Sequence, residues 1–337
     1  MRRALVIGGS GFLGLNLVDA LLARGVAVRA TRRPRSITAY LRRRPVELVP
    51  GALEDHAALT LAMRDCDVVF VAGAHYPRYS VDRAGSIAKG VAQIASVCDA
   101  ALGAGVPRLV YTSSVGSLGA APAGRSANEQ DVPAECPEES TYRATKWAME
   151  RELERAVARG LDAVTILPGA CLGPLDVRVG TSGLLLGVVL HTLPWWVDGT
   201  VNVVDVGDVA EAHVEAALRG SRGGRYCVAG HDVRVGALLQ KVAARYGGHV
   251  PETPLEIEEA RVRADLEERQ AEPRRARVPF PRELVDLIAS GQPVSSERAA
   301  TDLGARFRPI DETLDRAWAW FARHRYLPAV RGIEGAA

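Results

Sequence analysis

Short apolar runs alternate with longer amphipathic segments through the first half of the chain. Segments 12–24 and 87–102 carry apolar residues at helical spacing, and a glycine follows each of them. Strands that alternate with such helices predict an α/β fold, in which a doubly wound parallel sheet has helices on both faces. The apolar runs that predict buried strands are 5–7, 26–31, 46–49, 67–72 and 108–112.

Aromatic residues mark two positions in the less regular C-terminal third. Trp195 and Trp196 could form the wall of a ligand pocket, although packing in a core is the commoner fate of such a pair. Near the end of the chain, Trp318 and Phe321 lie three residues apart. This spacing predicts that they pack the last helix against the body, with Trp320 at its flank.

Residues 256–272 interleave Glu and Arg and predict a solvated helix.

Composition excludes several classes of protein. The formal net charge of +2 gives no reason to expect a nucleic-acid partner, and the five isolated cysteines argue for a reducing compartment and against a metal site. The first strand follows the Met-Arg-Arg start directly, and no apolar run is long enough to span a membrane. We therefore expect a cytoplasmic protein that acts on a small molecule, with a homodimer left open.

Three glycines interrupt the transition from the first strand to the first helix. Gly8, Gly11 and Gly14 form the pattern G-x-x-G-x-x-G. Bare backbone there allows a pyrophosphate to approach, and the first amides of the helix, near Phe12 and Leu13, supply donors. A strand before the motif and a helix after it are the context that dinucleotide binding requires, so we predict such a site.

The end of the second strand indicates which dinucleotide is bound. NAD-specific sites carry an acid there for the ribose 2′-hydroxyl. In this chain no acid occurs between Asp19 and Glu47, and Arg32 and Arg33 follow the strand. A guanidinium would pair with a 2′-phosphate, so we predict NADP(H) over NAD(H). The alternative is a solvated basic loop.

Further residues that could contact the cofactor or the substrate follow the fourth strand. Ala72, Gly73 and Ala74 would let the cofactor pass close to the backbone. His75 and Tyr76 come next, where the end of a strand opens into a crevice. They could contact substrate or be ordinary loop residues.

A serine, a tyrosine and a lysine have the spacing of an acid–base site. Ser114 closes the Thr-Ser-Ser that follows the fifth strand, and Tyr142 and Lys146 share one face of a predicted helix. An ammonium near a phenol favours the phenolate and moves the tyrosine pKa towards working pH. Only three of the 42 basic residues are lysine, which weighs against a merely solvent-facing Lys146.

These motifs together resemble the extended short-chain dehydrogenases/reductases, the NAD(P)-dependent epimerase/dehydratase superfamily. Within it the chain looks most like the dihydroflavonol-4-reductase-like branch and is similar to bacterial hopanoid-associated sugar epimerase proteins. The matching stretches are 8–14, 112–114, 142–146, 167–174, 204–210 and 299–321.

The resemblance implies a role for each matching residue. Tyr142 would be the acid/base, Lys146 its partner, and Ser114 the donor to the substrate oxygen. Two family positions differ, since Ala52 replaces an acid near the adenine, and Ile87 or Ser86 replaces a frequent asparagine. The cofactor-binding set is Gly8, Gly11, Phe12, Leu13, Gly14, Arg32, Arg33, Ala52, Leu53, Ala72, Gly73, Ala74, Thr112, Tyr142, Lys146, Pro168 and Gly169.

We expect a Rossmann-type NADP-binding domain at 1–175 and a smaller α/β substrate-binding region, mainly 176–337. Two further apolar runs predict that the chain returns to the main sheet at about 200–230.

The kind of reaction is inferred from the lack of residues that could bind a diphosphate in the predicted substrate region. Residues 167–176 contain no asparagine, and 184–197 contain no basic residue except His191. A buried diphosphate would lack a partner there, which favours an apolar or amphiphilic ketone or aldehyde, with Trp195 as a further candidate contact. The prediction is an NADPH-dependent carbonyl reductase. The alternatives are an NAD(P)-dependent sugar or sugar-nucleotide epimerase/dehydratase and a non-catalytic NADP-binding regulator, although such regulators typically lack the Tyr-Lys pair.

Overall fold

A parallel sheet of seven strands, counted over the residues that the structure describes, forms the centre of the N-terminal part. The computed structural model describes residues 1–77, 79–274, 276, 278 and 280–327. The strands of this sheet are β1 Arg3–Ile7, β2 Ala27–Arg32, β3 Val46–Pro50, β4 Val68–Val71, β5 Leu109–Thr112, β6 Ala163–Pro168 and, later in the chain, β9 Arg225–Val228. The predicted α/β class with a doubly wound parallel sheet is confirmed.

The strand order β3-β2-β1-β4-β5-β6-β9 reverses direction between β1 and β4. Ligands of open α/β sheets bind at such a switch point, beyond the carboxyl ends of the strands. β4 is buried along its whole length, as expected of a strand covered on both faces.

The helices are α1 Phe12–Ala23, α2 His56–Met63, α3 Arg83–Gly103, α4 Thr141–Ala158, α5 Gly183–Val189, α6 Val206–Arg219, α7 Val235–Tyr246, α8 Ile257–Ala271, α9 Arg282–Ala289, α10 Glu297–Leu303 and α11 Ile310–Arg323.

A second, three-stranded sheet lies beside the first. It contains β7 Ala170–Leu172, β8 Thr200–Asp205 and β10 His231–Arg234, in the order β10-β8-β7. β8 is parallel to β7 and antiparallel to β10. Because β9 pairs in parallel with β6, the chain does return to the main sheet between 200 and 230, whereas β8 joins the smaller sheet.

Two sequence expectations for the C-terminal third need correction. Phe321 is buried and Trp318 stacks on Tyr246, so both pack the last helix against the body as expected, but Trp320 is buried against Phe321 and not at the flank. Helix α8 is not wholly solvated, because the side chain of Glu268 is fully buried and accepts hydrogen bonds from two backbone amides. Both errors come from long-range packing, which the local pattern does not encode.

Among the described residues, no helix is long and apolar enough to cross a membrane. The same residues contain no group of three or more His, Cys, Asp or Glu side chains that could hold a metal ion.

Candidate active site

The glycine turn brings β1, α1 and the end of β4 into backbone contact. Gly8 has a φ of +88°, and a Cβ added to it would lie 2.5 Å from the amide nitrogen of Gly73. A Cβ at Gly14 would lie 2.2 Å from the carbonyl oxygen of Gly8. No side chain caps the start of α1 at Gly11, so its first amides remain available to an anion. The geometry fits the pyrophosphate of a dinucleotide.

The ends of β2 and β3 form the neighbouring edge of the crevice. Arg32 and Arg33 are both exposed, and the carbonyl of Arg32 accepts a hydrogen bond from the amide of Gly51. Ala52 and Leu53 follow directly. Two exposed arginines therefore lie at the end of β2, on this edge of the crevice.

Helix α4 positions the tyrosine and the lysine. Its cap is Ser140, whose hydroxyl accepts a hydrogen bond from the amide of Arg143. Lys146 is 7% exposed, its Nζ lies 6.0 Å from the centroid of the Tyr142 ring, and it donates to the carbonyl of Thr112 at 3.2 Å. The predicted shared face of Tyr142 and Lys146 therefore points towards the end of β5.

Burial controls the charges of this pair. It raises the pKa of Tyr142 to about 12, although the neighbouring Ser114 hydroxyl acts in the opposite direction. Burial lowers the pKa of Lys146 to about 8, and the carboxylate of Glu150 opposes that shift. The direction is opposite to the expected movement of the tyrosine pKa towards neutrality, because burial disfavours the charged phenolate. With its proton in place, the Tyr142 hydroxyl can donate a hydrogen bond.

Ser114 lies against the tyrosine at the start of a short 3₁₀ turn, residues 115–117. Its Oγ accepts a hydrogen bond from the amide of Gly116 at 3.0 Å. A Cβ added to Gly116 would lie 3.3 Å from Ser114 Oγ and 3.4 Å from Tyr142 Cε1. The Ser114 hydroxyl is also close enough to the Tyr142 phenol to act on its pKa as a hydrogen-bond partner. The two hydroxyls therefore lie next to each other.

A buried histidine supports this site and was missed by the sequence analysis. The hydroxyl of Thr112 lies 2.7 Å from Nε2 of His213, whose Nδ1 lies 2.8 Å from the carbonyl oxygen of Val209. Burial lowers the pKa of His213 to about 4, so the ring is neutral. A neutral ring that donates to Val209 accepts from Thr112, which orients the residue that binds Lys146. A histidine four residues after a helical valine carries no local signal of this role.

Pro168 and Gly169 lie where the two sheets separate. A Cβ at Gly169 would lie 2.5 Å from the carbonyl oxygen of Asn202 and 2.8 Å from that of Ala229. Only a bare backbone fits between these strands, so the end of β6 is held rigidly beside the crevice.

The three remaining substrate candidates have different environments. The Tyr76 ring lies 5.0 Å, centroid to centroid, from the Tyr142 ring. His75 instead lies close enough to Lys89 and Glu54 to sense their charges, and burial is the main cause that lowers its pKa. Trp195 is 3% exposed and packs against Phe280 at 4.4 Å, so it belongs to the C-terminal core.

Comparisons with known proteins agree with this fold. The model of the NAD dependent epimerase/dehydratase family matches residues 4–230, and this chain belongs to that family. A Synechocystis sp. protein that carries the name dihydroflavonol 4-reductase as a provisional assignment is 30% identical over 96% of this chain and 95% of its own. Sterol demethylase protein B of Methylococcus capsulatus is 32% identical over 94% and 97%, respectively.

A solved structure extends the similarity to the whole fold. The nucleoside-diphosphate-sugar epimerase PA4631 from Pseudomonas aeruginosa superposes with a TM-score of 0.82 at 26% identity, covering 97% of this chain and 99% of that one. The chain is therefore an NAD(P)-dependent oxidoreductase of the extended short-chain dehydrogenase/reductase type, in the dihydroflavonol-4-reductase-like branch.

Proposed function

We propose that this protein is an NADPH-dependent reductase that converts a ketone or aldehyde of an apolar or amphiphilic molecule into an alcohol, or performs the reverse reaction. The observation that carries the proposal is that the Ser114 hydroxyl lies next to the phenol of Tyr142, whose raised pKa keeps its proton in place. A carbonyl oxygen bound there would accept a hydrogen bond from each hydroxyl, and both would stabilise the charge that develops on reduction.

The chain's own residues then complete the proton transfer. The chemistry that NADPH would supply when bound in the crevice is a hydride for the carbonyl carbon. Tyr142 donates its proton to the carbonyl oxygen, and Ser114 holds that oxygen in place. Lys146 would bind the nicotinamide ribose, with Pro168 and Gly169 beside the carboxamide. Arg32 and Arg33 would pair with the 2′-phosphate.

The composition of residues 184–197 supports this class of substrate. Apart from His191, the stretch carries no basic residue that could pair with a diphosphate. Burial of a diphosphate without such a partner is costly.

A nucleotide-sugar epimerase is the second candidate, because the P. aeruginosa structure of that description covers nearly the whole chain. Steady-state NADPH oxidation at 340 nm, measured against ketones, aldehydes and nucleotide sugars, separates the two activities. A reductase consumes NADPH stoichiometrically, whereas an epimerase interconverts sugars without net consumption.

The substitution Tyr142→Phe removes only the hydroxyl and tests the assignment directly. We expect turnover to fall by about 10²-fold or more, because the proton donor is lost, while NADPH affinity stays near the wild-type value. Isothermal titration with NADPH measures the second quantity. Turnover like that of the wild type would refute the assigned role of Tyr142.

A further inference from the structure

A carboxylate from the C-terminal region contacts the start of the catalytic helix. Glu283, on α9, is 1% exposed. Its Oε2 accepts hydrogen bonds from the amide of Tyr142 at 3.0 Å and from the hydroxyl of Ser140 at 2.6 Å. Its Oε1 accepts from the hydroxyl of Ser80 at 2.9 Å. One side chain therefore joins α9 to α4 and to the loop between β4 and α3.

The amide of Tyr142 has no acceptor within its own helix, because it belongs to the first turn. Ser140 already satisfies the amide of Arg143. Glu283 completes the cap, and a negative charge at a helix N-terminus forms a strong, charge-assisted bond. The backbone position of Tyr142 is thus tied to α9.

A second buried carboxylate holds the same assembly together. Glu268, on α8, accepts from the amide of Ser80 at 2.7 Å and from the amide of Arg282 at 2.9 Å. Ser80 is therefore bound through its amide by one glutamate and through its hydroxyl by the other. Tyr76, whose ring lies 5.0 Å from that of Tyr142, precedes Ser80 by four residues.

Helix α9 also reaches the reacting groups one turn later. A Cβ added to Gly116 would lie 3.1 Å from Cδ2 of Leu287, so the Leu287 side chain lies against the same glycine as Ser114 and the Tyr142 ring. Leu287 is four residues after Glu283 and therefore lies on the same face of α9. A displacement of α9 would move both the backbone of Tyr142 and the apolar wall beside the hydroxyl pair.

We propose that Glu283 is a positioning residue, whose carboxylate holds Tyr142 in its reactive pose by joining α9 to the first turn of α4 and to the loop of Tyr76. The inference rests on the proposed function, since it takes Tyr142 as the proton donor.

The negative charge of Glu283 has a second effect. Burial has the largest effect on the pKa of Tyr142, and the carboxylate of Glu283 is one of the smaller influences that also raise it. Neutralising Glu283 therefore lowers the pKa of Tyr142. Other titratable groups face Tyr142 from the elements packed against it. Cys171 on β7 and Glu150 on α4 also raise its pKa. The Nζ of Lys146 lies 6.0 Å from the centroid of its ring, and Tyr142 in turn raises the pKa values of Tyr76 and Tyr111.

The test compares Glu283 with a matched acid on the same helix. Asp286 is also buried, but its carboxylate binds Arg261 and Arg282 instead of the catalytic helix. The variants are Glu283→Ala, Glu283→Gln, Asp286→Ala and Asp286→Asn in the full chain. Hydrogen–deuterium exchange of the peptide covering 140–146 is measured first, because it needs no substrate.

We expect Glu283→Ala to speed amide exchange in 140–146 by about tenfold or more, whereas Asp286→Ala leaves it near the wild-type rate. Glu283→Gln keeps the shape of the side chain and should restore slow exchange. It should also lower the ionisation midpoint of Tyr142, which ¹³C-tyrosine NMR follows once Tyr142→Phe has assigned the resonance. Equal exchange in Glu283→Ala and Asp286→Ala, or an unchanged midpoint in Glu283→Gln, would overturn the inference.

Turnover gives an additional readout, with NADPH and 4-nitrobenzaldehyde as the probe. Glu283→Ala should lower kcat by about tenfold or more with unchanged NADPH affinity, and Glu283→Gln should recover most of it. If Tyr142→Phe keeps wild-type turnover, the proposed function fails, while exchange and titration still decide the role of Glu283. If Glu283→Ala does not fold, the Glu283→Gln measurements stand alone.

Discussion

Replacing Gly14 by alanine tests whether close contact between α1 and the glycine turn is needed for nucleotide binding. The added Cβ would lie 2.2 Å from the carbonyl oxygen of Gly8 and 2.8 Å from Cα of Gly9. Both are backbone atoms and cannot rotate away. Ordinary van der Waals contact begins at 3.4 Å, so the start of the helix must retreat by about 1.2 Å.

That retreat has two measurable consequences. Overpacking of this size costs about 1–3 kcal/mol in the free energy of unfolding. It also moves the amides of Phe12 and Leu13, while useful N–H···O distances span only about 2.7–3.2 Å. Loss of one such bond to a phosphate would weaken NADPH binding by about tenfold or more.

Fluorescence titration gives the Kd for NADPH, and urea unfolding gives the stability. Gly103→Ala is the matched control, because Gly103 ends α3 and an added Cβ there meets no atom within 4 Å. We expect the control to keep the wild-type Kd. A folded Gly14→Ala protein that binds NADPH as tightly as the wild type would refute the reasoning.

Two further predictions concern the cofactor edge and a buried histidine. Replacing Arg32 and Arg33 together by alanine should weaken NADPH binding far more than NADH binding, since only NADPH carries the 2′-phosphate; equal losses in parallel titrations would contradict this. The pKa of His213 is about 4 in the folded state against 6.5 for an exposed histidine, so the unfolded chain takes up a proton first as the pH falls. The wild type should therefore lose up to about 3 kcal/mol of stability between pH 6.5 and 4 that His213→Asn does not lose, and identical pH dependence in urea unfolding would exclude this role.

Local pattern was sufficient for the parts of the site that lie on one element. The strand-to-helix glycines and the four-residue spacing of Tyr142 and Lys146 depend on neighbours in sequence, and the structure places each on its expected element. The return of β9 to the main sheet was also predictable, because its apolar run has the length of a buried strand.

Residues whose environment comes from distant segments were not predictable in this way. Glu268 belongs to a helix whose alternating charges indicate a solvated face, yet its two amide donors lie on another loop and another helix. Trp195 illustrates the same limit, since both a pocket wall and a core fit its sequence context. Only the position of Phe280, 85 residues later in the sequence, decides for the core.

The charges around Tyr142 together favour its role as an acid. Burial raises the pKa of Tyr142 most, and the negative charges of Glu283 and Glu150 add to it, so the proton stays on Tyr142 at neutral pH. Lys146, with a pKa of about 8, remains mostly protonated at the same pH. In the proposed reduction, a carbonyl oxygen that gains negative charge is a much stronger base than the ketone, so it would take the proton that these groups hold in place. The proposed reverse reaction would require the phenol to lose its proton first.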